Sequence, residues 1–531
     1  MQYYKPSGDL NVGDCMPFFH DGLFRLFYLI DEGHHHALGG LGGHQWAQAT
    51  SRDLVTWTHH PLAIAITDER EGSICTGSVL YHAGTYYGFY ATRMRDWTQH
   101  LSLATSRDGV HFDKVEPNPF ASPPPGYSPY DYRDPCAFYS PADGRFHLLV
   151  TASLAAYAVP GRGGCLAHLV SADLACWEVR EPFIIPGLPG APECPDYFGW
   201  RGWYYLIFSN EGIARYRMSR GPFGPWLRPP VDTLDGPAAR VMKTTAFTGD
   251  RRIGVAWIGT REGDRDDGGF QFGGNALFRE LVQRPDGTLG ASFVPDMAPA
   301  GEPLPALRIE PLGLGASAEG DRIHLCAGAP LAAGSGAHRE PPALRAWPPV
   351  PTGAAPGDAT EPGPVAAAVG EPECDSARGP HAGAGLAAAR LTGVPRRARI
   401  ALHVTPAPGT AGFGLRLRAG EAFDEGYALD FAPHDATVRL NQQRLTGVAG
   451  LDRPFDLEIV LYDDLIDVRV DAGGGHSRTL TDRCPQRVGE SAYVYVADGE
   501  VAVSGVVVER LGSEVTRGAA LRTPAPGQPV T

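Results

Sequence analysis

Three acidic residues in short, distinctive settings are the chemistry-bearing features of this sequence. They are Asp14 in Gly13-Asp14-Cys15-Met16-Pro17-Phe18, Asp134 in Tyr132-Arg133-Asp134-Pro135, and Glu193 in Pro192-Glu193-Cys194-Pro195-Asp196. They lie far apart in the chain, at strand-like landmarks. Separated carboxylates gathered in one pocket are what cleavage of a glycosidic bond requires: one serves as nucleophile or base, one as acid, and one steadies the sugar. A single Asp in a turn is ordinarily a turn former; it is the three together that carry the catalytic reading.

Other polar residues read differently. Asp53, Asp108 and Asp173 belong to a repeated turn and are expected to be structural. Asp196 divides evenly between an acceptor behind the site and a purely structural role. His34-His35-His36 invites a metal reading, but consecutive side chains point in different directions and seldom converge on one ion. A sugar-contacting loop at His35 is the better expectation, with no metal and no cofactor.

The elements that must position the carboxylates are strands. Leu23–Ile30, Thr85–Ala91, Arg145–Thr151 and Trp203–Phe208 are short β-type runs, each following a Gly- or Asp-containing turn. A heptapeptide recurs: Ser51-Arg52-Asp53-Leu54-Val55-Thr56-Trp57, Ser106-Arg107-Asp108-Gly109-Val110-His111-Phe112 and Ser171-Ala172-Asp173-Leu174-Ala175-Cys176-Trp177. A degenerate fourth copy is Ser219–Trp226. A repeat of roughly 50 residues made of strands and turns predicts a propeller of four-stranded blades, five or six over about 300 residues. The aromatic closing each copy is expected to pack between sheets.

Composition shifts near residue 302. Residues 328–389 are rich in Ala, Gly and Pro and read as a long excursion. The flanking and following runs alternate with period 2, among them Ala398–Val404, Leu457–Leu461 and Ile466–Val470, which predicts a β-sandwich. The expected organisation is a propeller over 1–302, a sandwich over 303–512 and a loose tail over 513–531.

The formal net charge of −14 argues against a nucleic-acid partner. No apolar run approaches the ~20 residues that span a bilayer. The start of the chain lacks the pattern of a signal peptide, and nine cysteines without a CxxC pair suggest reduced thiols. A cytoplasmic location is the expectation, and a homo-oligomer stays open.

These landmarks together resemble glycoside hydrolase family 32, the invertase, inulinase and levanase group. Arg133-Asp134-Pro135 and Glu193-Cys194-Pro195-Asp196 are its sharpest signatures. Cys75-Thr76-Gly77-Ser78 stands where the family has Phe-Ser-Gly-Ser, and Trp46 and Arg279-Glu280-Leu281 also fit. The resemblance implies an all-β chain, a five-bladed β-propeller followed by a β-sandwich. It implies Asp14 as nucleophile, Glu193 as acid/base and Asp134 as transition-state stabiliser, with a fructose-containing oligosaccharide as substrate. Arg133 would orient the pocket, Trp46 would form an apolar wall and Thr76 would offer a hydroxyl to the sugar. The chain departs from the family at the nucleophile: Asn-Asp-Pro-Asn-Gly is replaced by Gly13-Asp14-Cys15-Met16-Pro17, so both flanking amides are gone. Alternatives are a fructosyltransferase with the same residues, an inverting five-bladed enzyme acting on arabinose or xylose, and a non-catalytic sugar-binding propeller.

Overall fold

The computed structural model describes residues 2–6, 8–32, 43–304, 307–327 and 385–512. Their regular structure is almost entirely strand, joined by turns, loops and a few short 3-10 turns. His35 and most of the Ala/Gly/Pro-rich segment lie outside the described residues.

The first 292 residues run as successive antiparallel meanders. Leu10–His20, Leu23–Glu32, Gln45–Ser51 and Thr58–His59 form one; Glu71–His82, Thr85–Met94, Gln99–Ser106 and Asp113–Lys114 form the next. Tyr127–Ser140, Arg145–Leu154, Gly164–Ser171 and Glu178–Ile184 follow, then Glu193–Trp200, Trp203–Asn210 and Ile213–Ser219. The last comprises Arg240–Phe247, Arg251–Arg261, Phe270–Gln283 and Leu289–Ser292, with Tyr3–Tyr4 added on Phe270–Gln283. Aromatic and β-branched residues suit such half-buried pleated surfaces. Asp21-Gly22, Ala83-Gly84 and Arg201-Gly202 turn the first hairpin of three meanders with both φ values positive, the twist-matched two-residue turn.

The first strand of each meander touches the first strand of the next, and that of the last returns to touch Leu10–His20. A separate apolar cluster fills each junction. Phe89, Leu101 and Leu148 sit between the second and third meanders, for example, and Cys136, Leu149, Leu206 and Phe208 between the third and fourth. The repeated heptapeptide supplies part of this packing. In each full copy the Asp carboxylate accepts from two backbone N–H groups, as with Asp53 from Val55 and Thr56 at 2.9 and 2.7 Å. Leu54, Gly109 and Leu174 hold the left-handed position of the turn, and Trp57 and Trp177 pack on Phe278 and Phe89 of adjoining meanders.

The remaining strands form an eight-stranded and a seven-stranded antiparallel sheet sharing one aliphatic core. Gly301–Pro303, at the expected handover, pairs with Glu500–Leu511. Ala387–Thr392 pairs with Ser491–Asp498, so the expected excursion to 389 ends before its final residues.

The two regions meet at a buried ionic cluster. Arg279, with no exposed surface, donates from Nε to Asp235 at 2.6 Å and from Nη2 to Asp467 at 2.7 Å. Tyr3 donates to Asp467 from the other side at 3.1 Å. Arg279 is therefore part of the seam between the regions.

Candidate active site

Each first strand breaks register at a corresponding place, between Val12 and Cys15, Ile74 and Gly77, Arg133 and Cys136, Glu193 and Asp196, and Arg240 and Lys243. A bulge of this kind re-aims side chains and ends regular pairing. Asp14, Thr76, Asp134 and Glu193 all sit at these bulges. Asp134 and Cys194 adopt left-handed backbone, φ 53° and 50°, a conformation non-glycine residues hold at some cost and often at functional sites.

The bulges bring the three carboxylates together. Asp14 accepts from Thr76 Oγ1 at 2.6 Å and from Trp257 Nε1 at 2.8 Å, which fixes both of its oxygens. Asp134 accepts from the Cys194 backbone N–H at 3.1 Å and lies 3.3 Å from Thr151 Oγ1. The Cys194 thiol lies 3.3 Å from Asp134 Oδ2 and 3.7 Å from Asp14 Oδ2, so it links the two. Arg133 Nη2 donates to Glu193 at 2.7 Å, its Nε lies 3.6 Å from Asp134, and its Nη1 donates to Asp131. Asp131 is held in turn by the Ser153 hydroxyl.

Exposure separates the carboxylates. Asp134 is buried, whereas the Glu193 side chain is 35% exposed. Asp14 keeps some open surface, yet it lies deep enough in protein that burial pushes its carboxyl up; the Thr76 and Trp257 bonds pull it back and the Glu193 charge adds to the rise. Burial also raises Asp134, to about 6, against the pull of Arg133 and with the push of Glu193 and Asp14. Burial opposes the charge on Arg133, but Asp131, Glu193 and Asp134 outweigh it and hold the guanidinium firmly protonated. Three carboxylates around one guanidinium, with Asp14 beside them, make a site that favours developing positive charge.

Two expected sugar contacts have other jobs. Trp46 is completely buried, so it is no wall: it donates to the Cys75 carbonyl at 2.8 Å and braces the bulge next to Thr76. The Thr76 hydroxyl is committed to Asp14 rather than offered to a ligand. Trp257, Thr151 and Asp131 escaped the sequence reading, because a Trp in an apolar strand and a Thr in another look like ordinary core.

The glycine before Asp14 has a physical partner. A Cβ at position 13 would lie 2.5 Å from the Phe272 ring and 3.2 Å from the Leu29 carbonyl. Phe272 packs against Trp257, centroids 4.8 Å apart, and stacks on His44 at 4.7 Å. An aromatic ring thus occupies the room that a side chain at 13 would take, beside the residue that holds Asp14. Gly13→Ala is expected to destabilise the fold by ~1–3 kcal/mol through overpacking, and adding Phe272→Ala should recover part of that loss. Denaturant melts of the four combinations read the coupling; strict additivity would mean that the two positions do not share space.

Residues 14–281 match the model for the glycosyl hydrolases family 32 N-terminal domain. Over 221 residues the chain is 29% identical to a sucrose-6-phosphate hydrolase of Escherichia coli, covering 39% of this chain and 43% of that one. Over 259 residues it is 26% identical to a levanbiose-producing levanase of Bacillus subtilis, covering 46% and 45%. The matched stretch is thus under half the length of either relative. The fold is similar along nearly the whole chain to the exo-inulinase structure from Aspergillus awamori, with a TM-score of 0.65 at 14% identity over 96% of this chain and 98% of that one. It is also similar to sucrose-6-phosphate hydrolase from Lactobacillus gasseri, with a TM-score of 0.63 at 15% identity over 96% and 92%. A family match that begins at Asp14 and spans Asp134 and Glu193, on a fold shared from end to end, places this chain in glycosyl hydrolases family 32.

Proposed function

We propose that the chain is a retaining glycoside hydrolase that releases fructose from a fructosyl disaccharide or fructo-oligosaccharide. The single observation that carries the reading is the convergence of Asp14, Asp134 and Glu193 at neighbouring bulges, with Asp14 fixed through both oxygens. Asp14 attacks the anomeric carbon and forms a covalent fructosyl-enzyme as the glycosidic C–O bond breaks. Glu193, its side chain about a third exposed, gives its proton to the departing oxygen and then takes one from the incoming water. Asp134 holds sugar hydroxyls and steadies the oxocarbenium-like state. Arg133 positions Glu193. The activities of the relatives, a sucrose-6-phosphate hydrolase and a levanase, support a fructoside as substrate.

The ring of touching first strands supports a five-bladed propeller, its blades the five meanders, and the shared core of the last two sheets supports a β-sandwich after it. We place the catalytic domain before about residue 300 and the sandwich from there to 512. The reaction draws on no cofactor, and we propose a cytoplasmic setting.

The test is a substrate panel of sucrose, inulin-type and levan-type oligosaccharides and difructose anhydrides, with products identified. Free fructose as the first product supports the reading. Fructosyl transfer to sugar as the main outcome would instead favour the transferase, and calorimetric binding of these sugars without turnover would overturn catalysis.

A further inference from the structure

A second cavity lies on the other side of the bulges from the carboxylates. Its walls are the residues that follow the bulge in each first strand: Met16–Phe18, Ser78–Leu80, Cys136–Tyr139, Asp196–Tyr197 and Lys243–Thr245, closed by Arg252. Its volume is about 340 Å³, at the small end of ligand sites, which run ~300–1,000 Å³. Every meander contributes to it, yet none of the residues given catalytic roles above lines it.

Its charges are unbalanced. Lys243 and Arg252 are 3% and 7% exposed, and the acidic group in the lining is Asp196. Asp196 accepts through Oδ2 from the Thr244 backbone N–H at 2.9 Å and from the Thr244 hydroxyl, and its charge offsets only one of the two cations. That hydroxyl accepts from Arg252 Nε at 2.7 Å, and the guanidinium lies 3.3 Å from the centre of the Phe198 ring. Among the described residues neither terminal nitrogen of Arg252 makes a hydrogen bond, and Arg252 has no ion pair with Asp196. Lys243 Nζ makes one bond, to the Pro195 carbonyl, and has further donors to offer. A buried guanidinium whose fork is pinned by stacking and by Nε but left without an acceptor is arranged for a planar or tetrahedral oxyanion. The opposite wall is apolar and aromatic, with Phe138 stacked on Tyr197 at 3.8 Å beside Phe18, Val79 and Leu80.

We infer that this cavity binds a small oxyanion ligand, of the class of a hexose phosphate, with its phosphate on the Arg252 fork and Lys243 and its body against the aromatic wall. Desolvated charge-assisted bonds give the affinity, and the shape of the cavity limits the size.

The experiment is calorimetric titration of the whole chain with inorganic phosphate, a hexose 6-phosphate and the free hexose. The expected result is one-to-one binding of the two anions, tighter for the hexose phosphate, and none for the free sugar. Asp14→Asn should bind as the parent does. Arg252→Met should weaken binding at least tenfold. Arg252→Lys, which keeps the charge but loses the fork, should weaken it as well, and it serves if the Met variant fails to fold. Three results overturn the inference: no saturable binding, undiminished binding in Arg252→Lys, or altered binding in Asp14→Asn, which would place the anion at the carboxylates.

Discussion

Replacing Asp14 with Ala is expected to lower kcat by on the order of 10⁴ or more, with the fold retained. No other group in the site is placed to take over. Glu193 is tied to Arg133, and Asp134 is held by the Cys194 N–H and buried. Stability should not follow activity. Burial raises the Asp14 carboxyl in the folded state. Its ionisation therefore costs folding free energy above the folded pKa, and that cost vanishes below the unfolded one. Removing the charge relieves this cost at pH 7. The isosteric Asp14→Asn variant, which keeps an acceptor for Thr76 or Trp257, should melt no lower than the parent. Turnover within tenfold of the parent in Asp14→Ala would remove Asp14 as nucleophile.

Glu193→Gln is expected to separate substrates by leaving group. With a sugar leaving group, which must be protonated as it departs, kcat/KM should fall by ~10²–10⁴. With an aryl fructofuranoside, whose phenolate leaves unaided, the fall should be far smaller. The same variant carries a pH signature. In its proposed role Asp134 acts as a charged carboxylate, and burial raises it to about 6, so parent activity is expected to fall as pH drops through about 6. The Glu193 charge raises both Asp134 and Asp14. Without it the acid limb, measured on the aryl substrate, should move to lower pH. Because the groups are coupled, the limb belongs to the cluster rather than to one residue. Equal loss on both substrates, or an unmoved limb, would argue against this role for Glu193.

Much of this was legible in the sequence, for physical reasons. The carboxylates announced themselves because Arg133-Asp134-Pro135 and Glu193-Cys194-Pro195 are unusual strings, and the meanders because a Ser-x-Asp turn must recur wherever the same hairpin geometry recurs. What the sequence hid was reach across the chain. Nothing near Trp257 signals that its N–H ends on a carboxylate 243 residues away, and nothing near Trp46 signals a bond to a backbone carbonyl 29 residues on. The bulges were equally silent, since a one-residue slip in pairing changes no residue type. Gly13 read only as a lost flanking amide; the structure supplies the ring that fills its place.

The strand Phe270–Gln283 acts as a lever. Phe272, near one end, covers Gly13 beside Asp14; Arg279, seven residues on and about 23 Å along the strand, is clamped to Asp467 in the second region. Among the described residues the C-terminal half places no carboxylate at the bulges, yet it anchors the strand that carries the Phe272 ring. Changes in that half are therefore expected to reach the Phe272 ring, and through it Trp257 and Asp14, without touching a proposed catalytic group.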